Sequence, residues 1–176
     1  MKLATKLIST KEQDYTISCS FDLQKLSLSL KFQLSGNLEK ILWPNTDGNH
    51  QRKDHLWKQS CFELFIKNKN KSHYYEFNYG PKSFWNIYTL SSYRKNLTPL
   101  LSPINPQIYF HQIDQRNIDI QVTQELCFLE DYLEAKKMQI NLCCVIMHKD
   151  QSYEYWALKH LNKPDFHDPN TFSLEF

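Results

Sequence analysis

The sequence predicts an all-β fold: a two-sheet antiparallel β-sandwich of jelly-roll or immunoglobulin-like type with one short helix. Three observations carry that expectation. Apolar and polar residues alternate with period two along most of the chain, clusters of turn-forming residues interrupt the alternation at short intervals, and one segment alone shows helical spacing. An α/β fold needs 10–15-residue helices between its strands, and the sequence offers none.

The clearest strand is the run in which Leu26, Leu28, Leu30, Phe32 and Leu34 alternate with Ser27, Ser29, Lys31, Gln33 and Ser35. One face of such a strand belongs to a core and the other to water. Similar alternation marks residues 15–21, 61–67, 74–79, 108–113, 117–123, 139–147, 152–158 and 171–176, and a further strand is expected around Trp85 and Tyr88. Turn chemistry separates them at Ser35-Gly36-Asn37, 45–49, 68–72, Gly80-Pro81 and 114–116. The helical exception is the segment in which Phe128, Leu129, Tyr132, Leu133 and Met138 recur among Glu130, Asp131, Glu134, Lys136 and Lys137. Three stretches, 43–59, 91–106 and 159–170, are long and irregular, and loops of that size in a compact sandwich tend to carry function.

A length of 176 residues with 41% hydrophobic and 23% charged content suits a single domain over 1–176 with a packed core. Three glycines leave no Gly-rich phosphate loop. Twenty-one Lys and Arg against 19 Asp and Glu, a net charge of +2, give no electrostatic case for nucleic acid or an anionic membrane as partner. Residues 1–10 lack the apolar run of a secretory signal, and no stretch approaches the roughly 18 apolar residues of a membrane span. Five cysteines without a CxxC or zinc-like spacing fit buried, reduced thiols, so a cytoplasmic protein is expected.

The residues that point to chemistry lie on the two strands around the 68–72 turn. If Phe62, Leu64 and Ile66 share the core face with Tyr75, Phe77 and Tyr79, then Glu63 and Glu76 lie together on the opposite face, across from or diagonal to one another. Like charges so placed need a cation, a raised carboxyl pKa or a ligand with donors. Solvation, or pairing with Lys82, Arg94 or Lys159, is the purely structural alternative. Trp57, Trp85, Tyr88 and Trp156 supply flat apolar surfaces nearby, and a sugar ring suits a cleft that joins such surfaces to carboxylate, amide and arginine groups. Core packing is the competing use of each tryptophan.

The run from Leu56 to Ile66, with Trp57, Ser60, Glu63, Leu64, Phe65 and Ile66, resembles the W-x-x-[DTS]-x-x-E-[ILV]-F-[IV] strand of family 9 carbohydrate-binding modules and the wider DOMON superfamily. Tyr74, Glu76, Phe77, Asn78 and Pro81 are similar to the Y-x-E-F-N-x-S-P strand that follows it, with Gly80 in place of the serine. Trp85-Asn86-Ile87-Tyr88, Ser92-Tyr93-Arg94, Tyr155-Trp156-Ala157-Leu158-Lys159-His160 and Lys163-Pro164-Asp165-Phe166-His167 continue the likeness to a bacterial DOMON-like subgroup, over roughly residues 55 to 176. The resemblance implies a jelly-roll-like sandwich and a non-catalytic ligand-recognition role, with sugars or haem as the superfamily's ligands. It implies that Trp57 stacks on a sugar, with Trp156 as second platform. Glu63, Glu76, Asn78 and Arg94 would hold hydroxyls, while Trp85, His160, Asp165 and His167 complete or rim the site.

Haem would require axial ligands from Met147, His148, Met138 or His111, and sequence neighbours on a regular strand face opposite ways. His160, Asp165, His167 and Asp168 could instead meet at a metal, or simply order a rigid turn between Pro164 and Pro169. No bound metal is expected, structural calcium included. No nucleophile motif is present, although Glu63 and Glu76 could do acid–base work on a glycoside. A module of another class, docking a protein or a second copy through an aromatic face that includes Trp85 and Tyr88, is the alternative to a sugar site.

Overall fold

The computed structural model describes residues 2–44, 51–101, 105–129 and 138–175. Two sheets form the sandwich. The smaller runs β1 (Lys2–Lys6), β3 (Tyr15–Gln24), β4 (Ser27–Gly36), β11 (Asn117–Glu125) and β10 (Gln107–Gln112). The larger runs β2 (Ile8–Ser9), β13 (Tyr153–Ala157), β12 (Met138–Met147), β6 (Cys61–Asn68), β7 (Tyr74–Tyr79), β8 (Phe84–Leu90) and β5 (Gln51–Arg52), with β14 (Leu174–Glu175) beside β12 and β9 (Thr98–Pro99) beside β8. Every pairing is antiparallel except the two-residue join of β5 to β8.

The expected two-sheet antiparallel sandwich is therefore the observed fold. Strands β1, β2, β5 and β9 had no period-two signature because they are short or half-exposed edges. The expected strand over 171–176 shrinks to two residues, because Pro169–Thr171 closes a 3-10 turn instead. Of the expected helix, residues 130–137 lie outside the described residues. Cys127–Leu129 forms one 3-10 turn, and Met138 opens β12 opposite Asn68.

Between the sheets, the alternating apolar residues meet as the periodicity demands. Ile17, Phe21, Leu30 and Phe32 of the smaller sheet face Phe62, Leu64, Phe77, Ile87 and Leu142 of the larger, all with 1% exposure or less. The Phe32 and Phe62 rings lie 5.0 Å apart.

The larger sheet departs from the half-buried pattern. Cys61, Phe62, Glu63, Leu64, Phe65 and Ile66 are buried without alternation. A second apolar cluster covers the outer face: Phe65, Tyr74, Tyr88, Leu90, Cys143 and Val145 pack with Phe166 and Phe172 from the C-terminal segment. Asn141, buried on the outer face of β12, anchors that cover. Its amide donates to the Phe166 carbonyl at 3.1 Å and to Thr171 Oγ1 at 3.3 Å, and Thr171 donates to the Asp168 carbonyl at 2.7 Å.

The five cysteines are free thiols. Cys19, Cys61, Cys143 and Cys144 are buried as expected, whereas Cys127 is exposed, since it sits in a 3-10 turn beyond the end of β11. Among the described residues no helix is long and apolar enough to cross a membrane.

Because a buried amide holds the cover, Asn141→Ala should cost about 1–3 kcal/mol of unfolding free energy in urea titrations. Amides of residues 166–172 should also exchange with solvent faster. Unchanged protection there would remove Asn141 from this role.

Candidate functional site

Registry places the acidic pair. Glu63 on β6 stands opposite Asn78 on β7, and Glu76 stands opposite Phe65, so the two acids are diagonal neighbours on the outer face. Both are covered, with 3% and 4% exposure. Asn78 Nδ2 donates to Glu76 Oε1 at 2.7 Å, and the Cys143 thiol approaches Glu63 Oε2 at 3.8 Å. Cys61 Sγ donates to Asn78 Oδ1 at 3.5 Å. Glu63 Oε1 and Glu76 Oε2 accept no hydrogen bond from the described residues.

That environment disfavours ionisation. Burial raises the Glu76 carboxyl to about 7, against opposing pulls from the Asn78 hydrogen bond and the Arg94 charge. Burial first, and then the charge of Glu76, lift Glu63 well above the usual carboxylate range. The pair therefore holds a proton at neutral pH and titrates as a unit.

One wall comes from two loops. The 91–96 turn closes through Ser91 N–H to the Lys95 carbonyl and Lys95 N–H to the Ser92 carbonyl. It presents Arg94 from a left-handed backbone position with φ of 53°. Arg94 Nη2 donates to Asp165 Oδ1 at 2.8 Å, the Tyr93 hydroxyl donates to Asp165 Oδ2, and His167 N–H donates to Asp165 Oδ1 at 3.1 Å. Partial burial alone would raise the Asp165 carboxyl, but the bonds from Arg94 and Tyr93 hold it below its ordinary value.

Tyr74 joins that wall to the floor. Its hydroxyl accepts from Arg94 N–H at 3.3 Å and lies 2.8 Å from His167 Nδ1. Among the described residues Nδ1 is the one acceptor within reach of the Tyr74 hydroxyl proton, so the tautomer that satisfies both groups carries the ring proton on Nε2. Burial, then the nearby Arg94 charge, push His167 down to about 4, so the ring is neutral at pH 7. Nε2 stands 3.8 Å from Glu76 Oε2. With a neutral ring, and beyond hydrogen-bond reach, that approach is no ion pair.

Together these groups bound a cleft of about 290 Å³. Glu63, Glu76, Arg94, Asp165 and His167 supply its polar lining. Trp57, Leu90, Leu97, Val145, Tyr155 and Phe166 supply apolar lining. Trp57 rides on the 3-10 turn Leu56–Lys58, which the Tyr153 hydroxyl ties to β13 by donating to the Lys58 carbonyl at 3.0 Å. The indole is half-buried, with His55 and Tyr88 meeting it edge-on at 5.1 and 5.7 Å.

Six of the ten residues expected at a site meet here: Trp57, Glu63, Glu76, Arg94, Asp165 and His167. The other four do not. Asn78 is fully buried and orients Glu76 without lining the cleft. Trp85 points into the inter-sheet core at 1% exposure, with the Arg52 guanidinium 4.2 Å from its ring centre. Trp156 also faces inward, 5.2 Å from the Tyr15 ring, and donates from Nε1 to Glu154 Oε2 at 3.2 Å. His160 Nε2 donates to the Ile8 carbonyl at 2.8 Å, fastening the chain to β2 instead of rimming the cleft. A docking face built on Trp85 and Tyr88 is likewise not exposed, both being buried within the chain.

Strand parity explains the exchange at β13. Tyr155 pairs with outward-facing Val145 and Trp156 with inward-facing Cys144, so Tyr155 reaches the cleft. Tyr153 and Tyr155 flanking Glu154 were the available signal, hidden because a buried Glu154 mimics a solvent-facing residue. No local pattern marks Tyr74, Tyr93 or Phe166, since they are placed by contacts between distant segments. His160, Asp165, His167 and Asp168 do not converge on one point: Asp168 caps the 3-10 turn at Pro169–Thr171 by accepting from Asn170 N–H at 2.8 Å. His148, weighed as a haem ligand, lies 2.8 Å from Glu154 Oε1.

No family model matches the chain, and no curated protein sequence is detectably similar to it. Solved structures are similar in fold. A candidate carbohydrate-binding protein from Bacteroides uniformis superposes with a TM-score of 0.64 at 10% identity, over 96% of this chain and 83% of that one. A family 9 carbohydrate-binding module from Caldicellulosiruptor kristjanssonii, in complex with cellotriose, superposes with a TM-score of 0.53 at 9% identity, over 97% and 76%. Likeness at these identities is a likeness of fold: the chain is a β-sandwich of the architecture that those carbohydrate-binding proteins share.

Proposed function

We propose that this protein is a non-catalytic recognition module whose outer-face cleft binds a saccharide or sugar-containing metabolite. One observation carries the proposal: Glu63 Oε1 and Glu76 Oε2 are buried acceptors without protein donors, beside a cleft lined by the Trp57 indole. Buried polar atoms are ordinarily satisfied, so this pair fits a ligand that brings hydroxyl donors. The gap between His167 Nε2 and Glu76 Oε2 matches a hydroxyl, which accepts from the first and donates to the second. The apolar C–H face of a sugar would rest against Trp57, and Tyr155 and Phe166 extend that apolar wall. The fold shared with carbohydrate-binding proteins supports the same assignment.

Titration with glucose, galactose, cellobiose and cellotriose, followed by tryptophan fluorescence and calorimetry, tests it. At least one should give a saturable response. Trp57→Ala should then lose roughly tenfold or more in affinity, about 1.4 kcal/mol, while Trp156→Phe should bind as the parent does. A flat response to every sugar, or a Trp57→Ala variant that binds unchanged, would overturn the proposal.

The raised acids also set a pH signature. At pH values between the ordinary carboxylate range and about 7, the unfolded chain has ionised Glu76 while the folded chain retains the proton. The contribution of the pair to stability is therefore complete in acid and is lost as pH rises through 7. His167 acts in the opposite direction, losing stability as pH falls from its ordinary range toward 4. Glu63→Gln should raise the melting temperature by several degrees at pH 8 and change it little at pH 5, as seen by differential scanning calorimetry. An equal shift at both pH values would show that Glu63 is ionised throughout.

A further inference from the structure

The charge balance of the cleft narrows the ligand class, resting on the saccharide assignment above. Three carboxyl groups line it, Glu63, Glu76 and Asp165, against one guanidinium. That guanidinium is already committed, because Arg94 Nη2 sits on Asp165 Oδ1 at 2.8 Å. The remaining groups facing the acids are neutral: the His167 ring, the Tyr74 hydroxyl, the Asn78 amide and the Cys61 and Cys143 thiols. Among the described residues no cation is hydrogen-bonded to Glu63 or Glu76, and each has an oxygen with no donor. A buried acid pair in this condition is complementary to positive charge.

We infer that the cleft takes a sugar bearing a protonated primary amine next to a hydroxyl group, an amino sugar in preference to its neutral counterpart. An ammonium supplies three donors and the missing charge, so it can serve Glu63 Oε1 and Glu76 together. The neighbouring hydroxyl sits to one side of His167 Nε2 and Glu76 Oε2, which are 3.8 Å apart, within hydrogen-bond reach of both. Trp57, in the same cleft, adds a ring quadrupole favourable to a cation. Protons balance simply. The pair holds a proton when empty, the bound ammonium favours two carboxylates, and that proton leaves to solvent as the amine enters.

Calorimetry at pH 7, in two buffers of different ionisation enthalpy, tests this with matched pairs: glucose and glucosamine, galactose and galactosamine. N-acetylglucosamine serves as the uncharged control and 2-amino-1,3-propanediol as an amine without a sugar ring. At least one amino sugar should bind about tenfold tighter than its neutral partner, the gain of charge-assisted over neutral hydrogen bonds. It should also release a proton, and acetylation should erase the gain. Glu63→Gln, which keeps the shape of the site but cannot pair with an ammonium, should abolish the preference, the amino sugar then binding no tighter than its neutral partner in the same variant. Neutral sugars binding as tightly as amino sugars, or binding without proton release, would overturn the inference while leaving the saccharide assignment intact. Binding of 2-amino-1,3-propanediol alone would do the reverse, keeping the ammonium site and removing the sugar. Silence from every compound would overturn both.

Discussion

Two carboxyl groups buried side by side on a sheet, with no cation bonded to either among the described residues, are the constraint around which the rest of this molecule is arranged. Glu63 and Glu76 arrive there through ordinary registry: β6 and β7 pair antiparallel, their apolar residues take the inter-sheet face, and the alternate residues go outward. On a sheet with a wet outer face those acids would be solvated and unremarked. Here the outer face is itself packed, so both groups sit where ionisation is disfavoured by desolvation and by each other.

The cover makes that environment. The C-terminal segment folds back over β12 and β6, held by the Asn141 amide, and lays Phe172 against Phe65 and Tyr74 and Phe166 against Tyr155. It also brings Asp165 to Arg94 across 71 positions of sequence. Without Asp165, the arginine is the cation best placed to answer the acid pair. With it, the arginine is held on the wall, and its charge only partly offsets the burial of the pair. Tyr74 fixes the last detail by accepting from Arg94 N–H and donating to His167. One hydroxyl thus sets both the turn that carries the arginine and the tautomer of the histidine beside Glu76.

A sheet buried on both faces has another use. Trp57 sits on a short turn outside β6, and its indole is braced by His55 and Tyr88 while part of it stays accessible. Trp85 and Trp156 carry the same ring but fill the inter-sheet core. Hydrophobicity pulls every indole toward an interior; the backbone that carries it decides which interior. A turn outside the sheet leaves Trp57 at a cleft, while a strand position of inward parity seals the other two.

Period-two alternation over long strands is a local property, and the sequence alone settled what depends on it: the sandwich, the inner faces of β4, β6 and β7, and the shared outer face of Glu63 and Glu76. Where the alternation is too short or carries a buried acid, it misleads, as at Glu154, Tyr155 and Trp156, where the aromatic residue of the cleft is the neighbour of the expected one. Tertiary structure decided the remainder. The second apolar layer, the pairing of Arg94 with Asp165, the inward burial of Trp85 and the use of His160 as a fastening all arise from segments that meet across long stretches of chain. Their energies come from exclusion of water and from charges brought together in a low dielectric, and neither quantity exists until the sheets have packed.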